Sequence, residues 1–256
     1  MKTFVLGDIH GAAKALEQCL DRSGFDMDND LLIQLGDVVD RYDEVFECVE
    51  ILLQVKNLIA IKGNHDDWFD NFLRTGVHPR DWIFGGLDTV ASYLRHAGKE
   101  EKFTEDGEGW ATNLLPKDVP AEHCDFFSRQ RLYLVDERNR CFVHGGFMPK
   151  IPLEQQRPED FYWDRMLWQN AYDHQRIFGG RILPGDMVLI PDFHEVYLGH
   201  TPTTKWGSDR PLNAFNIWNM DTGAAYSGRL TIMDVDTKDY WQSDLVSTLY
   251  AGKPRH

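Results

Sequence analysis

The stretch Gly36-Asp37-Val38-Val39-Asp40-Arg41 follows the apolar run Leu31-Leu32-Ile33-Gln34-Leu35 and decides how the chain is interpreted. The apolar run predicts a buried strand, and the charged stretch is then the loop that leaves its carboxyl end. In open α/β sheets, ligands bind at that edge. Two carboxylates and a guanidinium crowded into one loop are costly unless bound groups balance their charges. Metal ions would balance the carboxylates, and a phosphate would balance the arginine.

The same succession of apolar strand and polar loop occurs on both sides of this stretch. Thr3–Leu6 is followed by Gly7-Asp8-Ile9-His10-Gly11, and Leu58–Ile61 is followed by Lys62-Gly63-Asn64-His65-Asp66. Between the strands, apolar residues at helical spacing cover two segments, Ala12–Cys19 and Val45–Val55. Three strand–helix units in a row predict right-handed crossovers and a parallel sheet, so the three polar loops should meet at one edge.

The rest of the chain shows a different pattern. Residues 67–130 are rich in aromatic residues and glycine, and we interpret them as a helical cap inserted into a single domain that spans residues 1–256. Tyr133–Val135 and Cys141–Val143 predict a hairpin, and Pro158–Ala171 predicts one helix. The last predicted strands are Val196–Leu198, Phe215–Met220 and Arg229–Val235. The polar tail from Lys238 is expected to be loosely held.

Composition limits the classes of function. The chain has 256 residues, of which 42% are hydrophobic and 27% charged, so it is long enough for one large α/β domain. Its formal net charge of −14 argues against a nucleic-acid or membrane-surface binder, because both need a basic face. The cysteines at 19, 48, 124 and 141 form no Cys-x-x-Cys pair, which favours reduced thiols. No segment approaches the roughly 18 apolar residues of a membrane span, and a cytoplasmic location is expected.

The residues able to carry chemistry are oxygen and imidazole donors, most of them directly after a predicted strand: Asp8, His10, Asp37, Asn64, His65, His144 and His200. Such donors without a thiolate suit Mn, Fe or Zn rather than a structural zinc. A carboxylate has two oxygens, so Asp37 could bridge two ions. Two metals about 3.5–4 Å apart form the clamp used for in-line phosphoryl hydrolysis. Each motif alone is more typical of a turn or a structural histidine, but their joint occurrence in one chain indicates function.

Taken together, Gly-Asp-Ile-His-Gly, Gly-Asp-Val-Val-Asp-Arg, Gly-Asn-His-Asp, His-Gly-Gly and Gly-His-Thr-Pro resemble the motifs of the calcineurin-like metallophosphoesterase superfamily. More narrowly, the chain is similar to the bacterial and phage branch of the phosphoprotein phosphatases, which are serine/threonine phosphatases. The motifs run from residue 7 to residue 202, and Asn219–Ala224 is similar as well. The resemblance implies an α/β (α+β sandwich) fold, with two mixed β-sheets flanked by helices.

The resemblance also implies a site with two divalent metal ions, preferably Mn, with Fe, Zn, Ni or Co as alternatives. Its ligands would be Asp8 and His10 on the first ion, Asp37 between both, and Asn64, His144 and His200 on the second. In this family the nucleophile is a hydroxide that bridges the metals.

The resemblance assigns four further residues to catalysis and substrate binding. His65 would be the general acid that protonates the leaving group, and Asp40 would orient it. Arg41 would bind the phosphate, and Arg165, within Trp163-Asp164-Arg165, would be the second phosphate-binding arginine.

Two departures from the family pattern carry consequences. Tyr42 stands in place of the glycine usual after the arginine and is expected to narrow the mouth of the site. Pro202 stands in place of the second histidine of other branches, which leaves the first metal three protein ligands.

Several other acidic and aromatic side chains are predicted to have structural roles. Asp66, Asp67 and Asp70 fall at a predicted helix start, where carboxylates favour the helix dipole. The eight tryptophans are interpreted mainly as packing residues, with a few as candidates for the wall of a substrate groove.

Three functions remain in competition. The first is a phosphomonoesterase that acts on a phosphorylated protein or a small phosphoester. The second is a symmetrical diadenosine tetraphosphate hydrolase, a relative that usually carries alanine where Asp40 stands. The third is an inactive binding protein, which the intact ligand set and the presence of both Asp40 and His65 disfavour. The sequence leaves the natural substrate, the native metal, the role of the cap and the oligomeric state open.

Overall fold

A computed structural model describes residues 1–79, 82, 85–105, 110–181 and 190–252. Within them the strands are, in chain order, β1 (Thr3–Leu6), β2 (Leu31–Gln34), β3 (Asn57–Ala60), β4 (Phe103–Glu105), β5 (Trp110–Thr112), β6 (Tyr133–Val135), β7 (Arg140–Val143), β8 (Glu195–Leu198), β9 (Leu212–Ala214), β10 (Ile217–Asn219), β11 (Thr231–Asp234) and β12 (Tyr240–Gln242). The helices are α1 (Ala13–Ser23), α2 (Val45–Leu53), α3 (Asn64–Thr75), α4 (Gly86–His96), α5 (Ala121–Ser128), α6 (Pro158–Trp163), α7 (Met166–Phe178) and α8 (Val246–Leu249).

Two five-stranded mixed sheets form the centre of the structure, with strand orders β12-β11-β1-β2-β3 and β6-β7-β8-β10-β9. The predicted parallel arrangement of β1, β2 and β3 is confirmed, with Val5 opposite Ile33 and Ile33 opposite Ile59. The first sheet is nevertheless mixed, because β11 pairs antiparallel with β1. In the second sheet β7, β8 and β10 run parallel, and the predicted β6–β7 hairpin is confirmed.

The two sheets pack face to face through apolar side chains that alternate with outward-facing ones along each strand. Val5 and Ile33 of the first sheet and Phe142 and Tyr197 of the second belong to one buried cluster. The rings of Phe142 and Tyr197 stack with their centroids 5.0 Å apart. Since all four side chains are fully buried, this layer fixes the position of one sheet on the other.

Helices from the described part of segment 67–130 pack on the outer side of the first sheet. Phe69 of α3, Tyr93 of α4 and Phe127 of α5 are fully buried in the same cluster as Phe4 and Leu32 of that sheet. The segment is not purely helical, because β4 and β5 form a separate hairpin within it. Its assignment as an inserted cap stays a prediction, but its side chains are part of the first sheet's core.

The helical segment predicted over Pro158–Ala171 is present but divided into two helices, since α6 ends at Trp163 and α7 begins at Met166. Asp164 has an extended backbone, and its Oδ1 accepts a hydrogen bond from the backbone N–H of Leu167 at 2.9 Å. This bond satisfies a donor in the first turn of α7, so the carboxylate stabilises the break. The break matters because the next residue is Arg165.

The expectation of a loosely held tail is also wrong. β12 pairs antiparallel with β11, and Trp241 packs against Phe4 with 6.1 Å between ring centroids. Val246 and Tyr250 are buried. The tail therefore adds an edge strand and a helical turn to the first sheet's side of the structure.

The cysteines and the lengths of the helices bear on two further expectations from the sequence. The four cysteines carry free thiols. In the part of the chain that the structure describes, no helix combines the length and the apolar character needed to cross a bilayer.

Candidate active site

The polar loops that follow β1 and β2 are held together by backbone hydrogen bonds. The amides of Ile9 and His10 both donate to the carbonyl of Asp37, at 3.0 and 2.9 Å. Asp66, on the first turn of α3, then fixes the second loop through its buried carboxylate. It accepts hydrogen bonds from the amides of Asp37 and Val38, both at 2.9 Å. Asp66 is thus a brace for the loop as well as a residue at a helix start.

Backbone strain is concentrated in these loops. Eight non-glycine residues have positive φ in the described residues, and five of them are His10, Asp37, Asp40, Arg41 and His200. Left-handed conformations cost energy in residues with a Cβ and persist where the surroundings over-determine them. Five of the eight residues with positive φ are therefore among the predicted site residues.

Two groups of side chains converge on Asp37. His10, Asp37 and His65 place one ligand atom each within 4.8 Å of one another, and Asp37, His144 and His200 do the same. Oδ2 of Asp37 lies 3.5 Å from Nε2 of His10 and 3.4 Å from Nε2 of His144. One carboxylate therefore faces two imidazole clusters, the geometry expected of a bridging ligand. His65, predicted as the acid, is itself a member of the first cluster.

The remaining predicted ligands are Asp8, expected with His10 on the first ion, and Asn64, expected on the second ion; both contact residues of the second cluster. Oδ2 of Asp8 accepts a hydrogen bond from the amide of His200 at 2.9 Å, and Oδ1 of Asn64 lies 3.2 Å from Nε2 of His144. Glycine makes room for the carboxylate of Asp8, since a Cβ at Gly199 would lie 2.1 Å from its Oδ1. All six predicted ligands are thus brought together.

The unsatisfied atoms of this cluster fit divalent cations. Oδ1 of Asp8 and Nε2 of His200 are buried and have no hydrogen-bond partner among the described residues. Burial, together with the neighbouring Asp221, raises the pKa of Asp8 well above its usual value. Burial also lowers the pKa of His200 well below 6.5, which keeps a nitrogen lone pair available. Buried oxygen and imidazole donors are the ligand set of Mn, Fe and Zn.

Asp40 and His65 form a buried pair next to the clusters. Nδ1 of His65 lies 2.6 Å from Oδ2 of Asp40, which is fully buried. Burial opposes protonation of His65, but the charge of Asp37 and the hydrogen bond to Asp40 outweigh it and raise its pKa above 6.5. A carboxylate on Nδ1 leaves Nε2 as the nitrogen that can exchange a proton with a substrate.

Two residues that the sequence interpretation missed also hold Asp40. The indole Nε1 of Trp82 donates to Oδ1 at 2.9 Å, and the hydroxyl of Thr89 donates to the same oxygen at 2.6 Å. They lie 42 and 49 residues from Asp40 in the chain. Because neither belongs to a motif, no local signal in the sequence could have found them.

The clusters open into a cleft of about 330 Å³ that both predicted arginines line. Nη1 of Arg165 donates to the carbonyl of His200 at 2.6 Å, so this guanidinium is fixed to a ligand loop. Nε of Arg41 is buried without a partner among the described residues. Lys205 and Asp221 also line the cleft and were not predicted. Asp221 lies two residues after the end of β10 and two residues before Gly223, so it is near a strand end and a glycine like the residues of the other motifs.

Aromatic side chains surround the mouth of the cleft. The guanidinium of Arg41 lies over the ring of Tyr226 at 5.3 Å. Tyr42 does not stand at the mouth as expected: it is buried, and its hydroxyl donates to the carbonyl of Tyr226 at 3.2 Å. On the other side Trp68 packs against His65 and against Trp163, which is 44% exposed. These two tryptophans are therefore the ones that border the site.

Comparisons with known proteins agree with this geometry. A serine/threonine-protein phosphatase 1 from Salmonella typhimurium strain LT2 is 26% identical over 231 residues, 90% of this chain and 89% of the relative. A symmetrical bis(5'-nucleosyl)-tetraphosphatase from Pasteurella multocida strain Pm70 is 34% identical over 300 residues, 96% of this chain and 98% of the relative.

Solved structures share the fold. The crystal structure of a candidate diadenosine tetraphosphatase superposes with a TM-score of 0.59 at 16% identity, covering 94% of this chain and 92% of that one. The family model described as calcineurin-like phosphoesterase matches residues 1–213. That match covers most of the chain, including every predicted metal-ligand position, and the chain therefore belongs to the calcineurin-like phosphoesterase family of hydrolases.

Proposed function

We propose that this chain is a cytoplasmic, metal-dependent phosphomonoesterase of the serine/threonine phosphatase type. The observation that carries the proposal is the buried His65–Asp40 pair, 2.6 Å between Nδ1 and Oδ2, next to two imidazole clusters that share Asp37. An acid is needed to expel an alkoxide such as that of serine, which is a poor leaving group. The free thiols support a reducing compartment.

The proposed metal ligands are those already described at the site: Asp8, His10, Asp37, Asn64, His144 and His200. Two divalent ions held there, Mn by preference, would neutralise phosphoryl oxygens and lower the pKa of a water molecule. The buried, unpartnered Oδ1 of Asp8 and Nε2 of His200 support this assignment.

Arg41 and Arg165 would bind the substrate phosphate. Both line the cleft, and the planar guanidinium fork matches two phosphate oxygens at once. Arg165 is held in place by the carbonyl of His200 and the hydroxyl of Thr201, at 2.6 and 3.1 Å. A phosphate bound between the two arginines would lie next to the imidazole clusters.

His65 would act as the general acid. A water molecule attacks phosphorus in line, the bond from phosphorus to the leaving oxygen breaks, and the proton on Nε2 of His65 passes to that oxygen. Asp40 accepts from Nδ1 and so holds the ring with Nε2 toward the cleft. His65 also lines the cleft with the two arginines, which supports a position next to the leaving group.

A symmetrical dinucleoside tetraphosphatase is the second candidate. The relative from Pasteurella multocida carries that name at 34% identity, and Lys205 adds a third cation to the cleft, where a polyphosphate would need charge neutralisation. Asp40 favours the phosphomonoesterase, because the tetraphosphatases usually carry alanine at its position.

A side-by-side assay separates the two candidates. Purified protein with added Mn should hydrolyse phosphoserine and phosphothreonine peptides with a higher kcat/KM than diadenosine tetraphosphate, and the reverse order would establish the second candidate. No turnover of either substrate, or of p-nitrophenyl phosphate, with any of Mn, Fe, Zn, Co or Ni would refute both.

The variant His65→Asn tests the acid. We expect it to keep its metal content and to lose about 10²–10⁴-fold in kcat on phosphopeptides. Metal analysis by mass spectrometry accompanies the assay, and an unchanged kcat would refute the role of His65.

A further inference from the structure

We infer that Trp82 and Thr89 are positioning residues for the reaction, because they hold the Asp40 carboxylate in the orientation that directs His65 toward the substrate. The inference rests on the proposed function and adds two residues from outside every motif. Neither is among the residues that line the cleft, so their effect would pass through Asp40.

The hydrogen bonds around Asp40 allow its carboxylate only one orientation. Nε1 of Trp82 donates to Oδ1 at 2.9 Å and approaches Oδ2 at 3.1 Å, and the hydroxyl of Thr89 donates to Oδ1 at 2.6 Å. His65 takes the remaining direction at Oδ2. Asp40 and Trp82 are fully buried, so rotation of the carboxylate would leave these donors unpaired away from water.

Thr89 holds the backbone of Asp40 as well as its side chain. The amide of Asp40 donates to Oγ1 of Thr89 at 2.9 Å, while the hydroxyl proton goes to the carboxylate. Asp40 has a positive φ of 74°, a conformation that needs external support in a residue with a Cβ. Next to it the amide of Arg41 donates to the carbonyl of Gly85 at 3.3 Å, so the start of α4 lies directly against the strained loop.

The orientation of the indole is itself fixed by packing. A Cβ at Gly86 would lie 2.6 Å from both Nε1 and Cδ1 of Trp82, so only glycine leaves room for the ring. On other sides the ring meets Phe69 and Phe72, at 5.6 and 5.7 Å between centroids. The φ of Gly86 lies outside the left-handed region, so a substitution there acts through the indole and not through backbone strain.

Trp168 shows what a tryptophan that only fills the core looks like in this protein. It is fully buried like Trp82, but its Nε1 has no hydrogen-bond partner among the described residues. It lies in the cluster on the outer side of the second sheet. The substitution Trp168→Phe is therefore the matched control for Trp82→Phe.

The test uses the leaving-group dependence of catalysis. Expulsion of p-nitrophenolate needs little help from an acid, whereas expulsion of phenolate or of a serine alkoxide depends on one. For Trp82→Phe and Thr89→Val we expect kcat to fall about tenfold on phenyl phosphate and phosphoserine peptides, but less than about twofold on p-nitrophenyl phosphate. Gly86→Ala should give the same pattern, because it displaces the indole without removing a polar atom.

The outcomes separate positioning from packing. Trp168→Phe should change kcat on all three substrates by the same small factor. An equal loss on all substrates in Trp82→Phe and Thr89→Val, or no loss on any, would overturn the inference. An inactive wild-type protein would refute the proposed function instead.

A second readout needs neither metal nor activity. In metal-free protein labelled with ¹⁵N, the substitution Asp40→Asn should shift the indole N–H resonance of Trp82, identified by its loss in Trp82→Phe. The Trp168 indole resonance should stay in place. A Trp82 resonance that does not respond to Asp40→Asn would also overturn the inference, whatever the kinetics show.

Discussion

The strand-end loops and the outer segment 67–130 contribute to the site in different ways. The loops after β1, β2, β7 and β8, together with the start of α3, carry side chains that converge on a common point, with Asp37 shared by two imidazole clusters. The outer segment contributes Trp82, Thr89 and Gln130, which contact carboxylates of the loops and do not line the cleft. The first set is placed to meet ligands, and the second set restrains the first.

This difference explains how the loops keep their strained backbone conformations. Asp37, Asp40 and Arg41 all have positive φ, which costs energy at each residue. The cost is offset by hydrogen bonds to buried carboxylates, and several of their donors come from the outer segment. Substitutions in the loops should therefore change chemistry, whereas substitutions in the outer segment should change orientation or stability.

The largest expected effect comes from the shared carboxylate. Asp37→Asn removes one anionic oxygen that faces both imidazole clusters. We expect loss of metal from the purified protein and a drop of more than about 100-fold in kcat/KM, because outer-shell substitutions alone cost about 10–100-fold. Metal content by mass spectrometry and turnover of p-nitrophenyl phosphate measure the two effects.

Asp125→Asn is the control for Asp37→Asn, because Asp125 lies in the outer segment and is 64% exposed. It should keep both metal content and activity. Full metal occupancy in Asp37→Asn would contradict the shared role and with it the distinction between the two regions.

A smaller effect is expected where the two regions meet. The carboxylate of Asp66 accepts hydrogen bonds from the amides of Asp37, Val38 and Gly63 and from the side chain of Gln130. Asp66→Asn would turn an amide donor toward these donors, and we expect the free energy of unfolding to fall by about 2–4 kcal/mol. Gln130→Met removes one of the bonds to Asp66, together with the bond from Gln130 to the carbonyl of Ile61 at 3.4 Å, and should cost about 1–2 kcal/mol.

Urea unfolding of both variants in the presence of a chelator checks these values without the contribution of bound metal. An equal loss in the two variants would mean that the outer segment supports the loop as strongly as the loop's own amides do. The relative size of the two losses in the free energy of unfolding therefore shows how much the outer segment contributes to the stability of the loops.

Most of the candidate donors were accessible from the sequence because they follow an apolar run and lie beside a glycine, a signal contained in one short window of the chain. The ligand roles and the pairing of Asp40 with His65 were expected from the resemblance to the family. Trp82 and Thr89 were not, because their partner lies 42 and 49 residues away and burial alone gives no direction to a side chain. Their contacts follow from packing of α4 on the loop, which periodicity does not specify.

Contacts that local sequence patterns do not specify also explain two differences between the predicted and the observed secondary structure. The break between α6 and α7 depends on the side chain of Asp164, which bonds Leu167, whereas the apolar spacing continues through it. The tail was judged by its polarity, but its few apolar side chains, among them Trp241, Val246 and Tyr250, each find a partner on the first sheet's side. The polar composition of the tail therefore gave no sign of the edge strand β12, which is stabilised by tertiary contacts.

The smallest effect on activity is expected for a substitution in that tail, Tyr250→Phe. The hydroxyl of Tyr250 donates to Oε2 of Glu44 and accepts from the amide of Lys14 at 3.1 Å, while its ring packs on Tyr42 at 4.6 Å. Tyr250→Phe keeps the ring behind Tyr42, so kcat/KM should stay within about twofold. The lost hydrogen bonds should lower the free energy of unfolding by about 1–1.5 kcal/mol.

Tyr240→Phe is the matched control in the same tail, since Tyr240 is 38% exposed and its substitution should leave the free energy of unfolding within about 0.5 kcal/mol of the wild type. Urea unfolding and turnover of p-nitrophenyl phosphate by the three proteins decide the matter. If Tyr250→Phe unfolds like the wild type, the tail is not anchored through this hydroxyl. If Tyr250→Phe instead loses activity, the tail supports the site through Tyr42. The tail would then belong with the outer segment among the parts of the chain that restrain the strand-end loops.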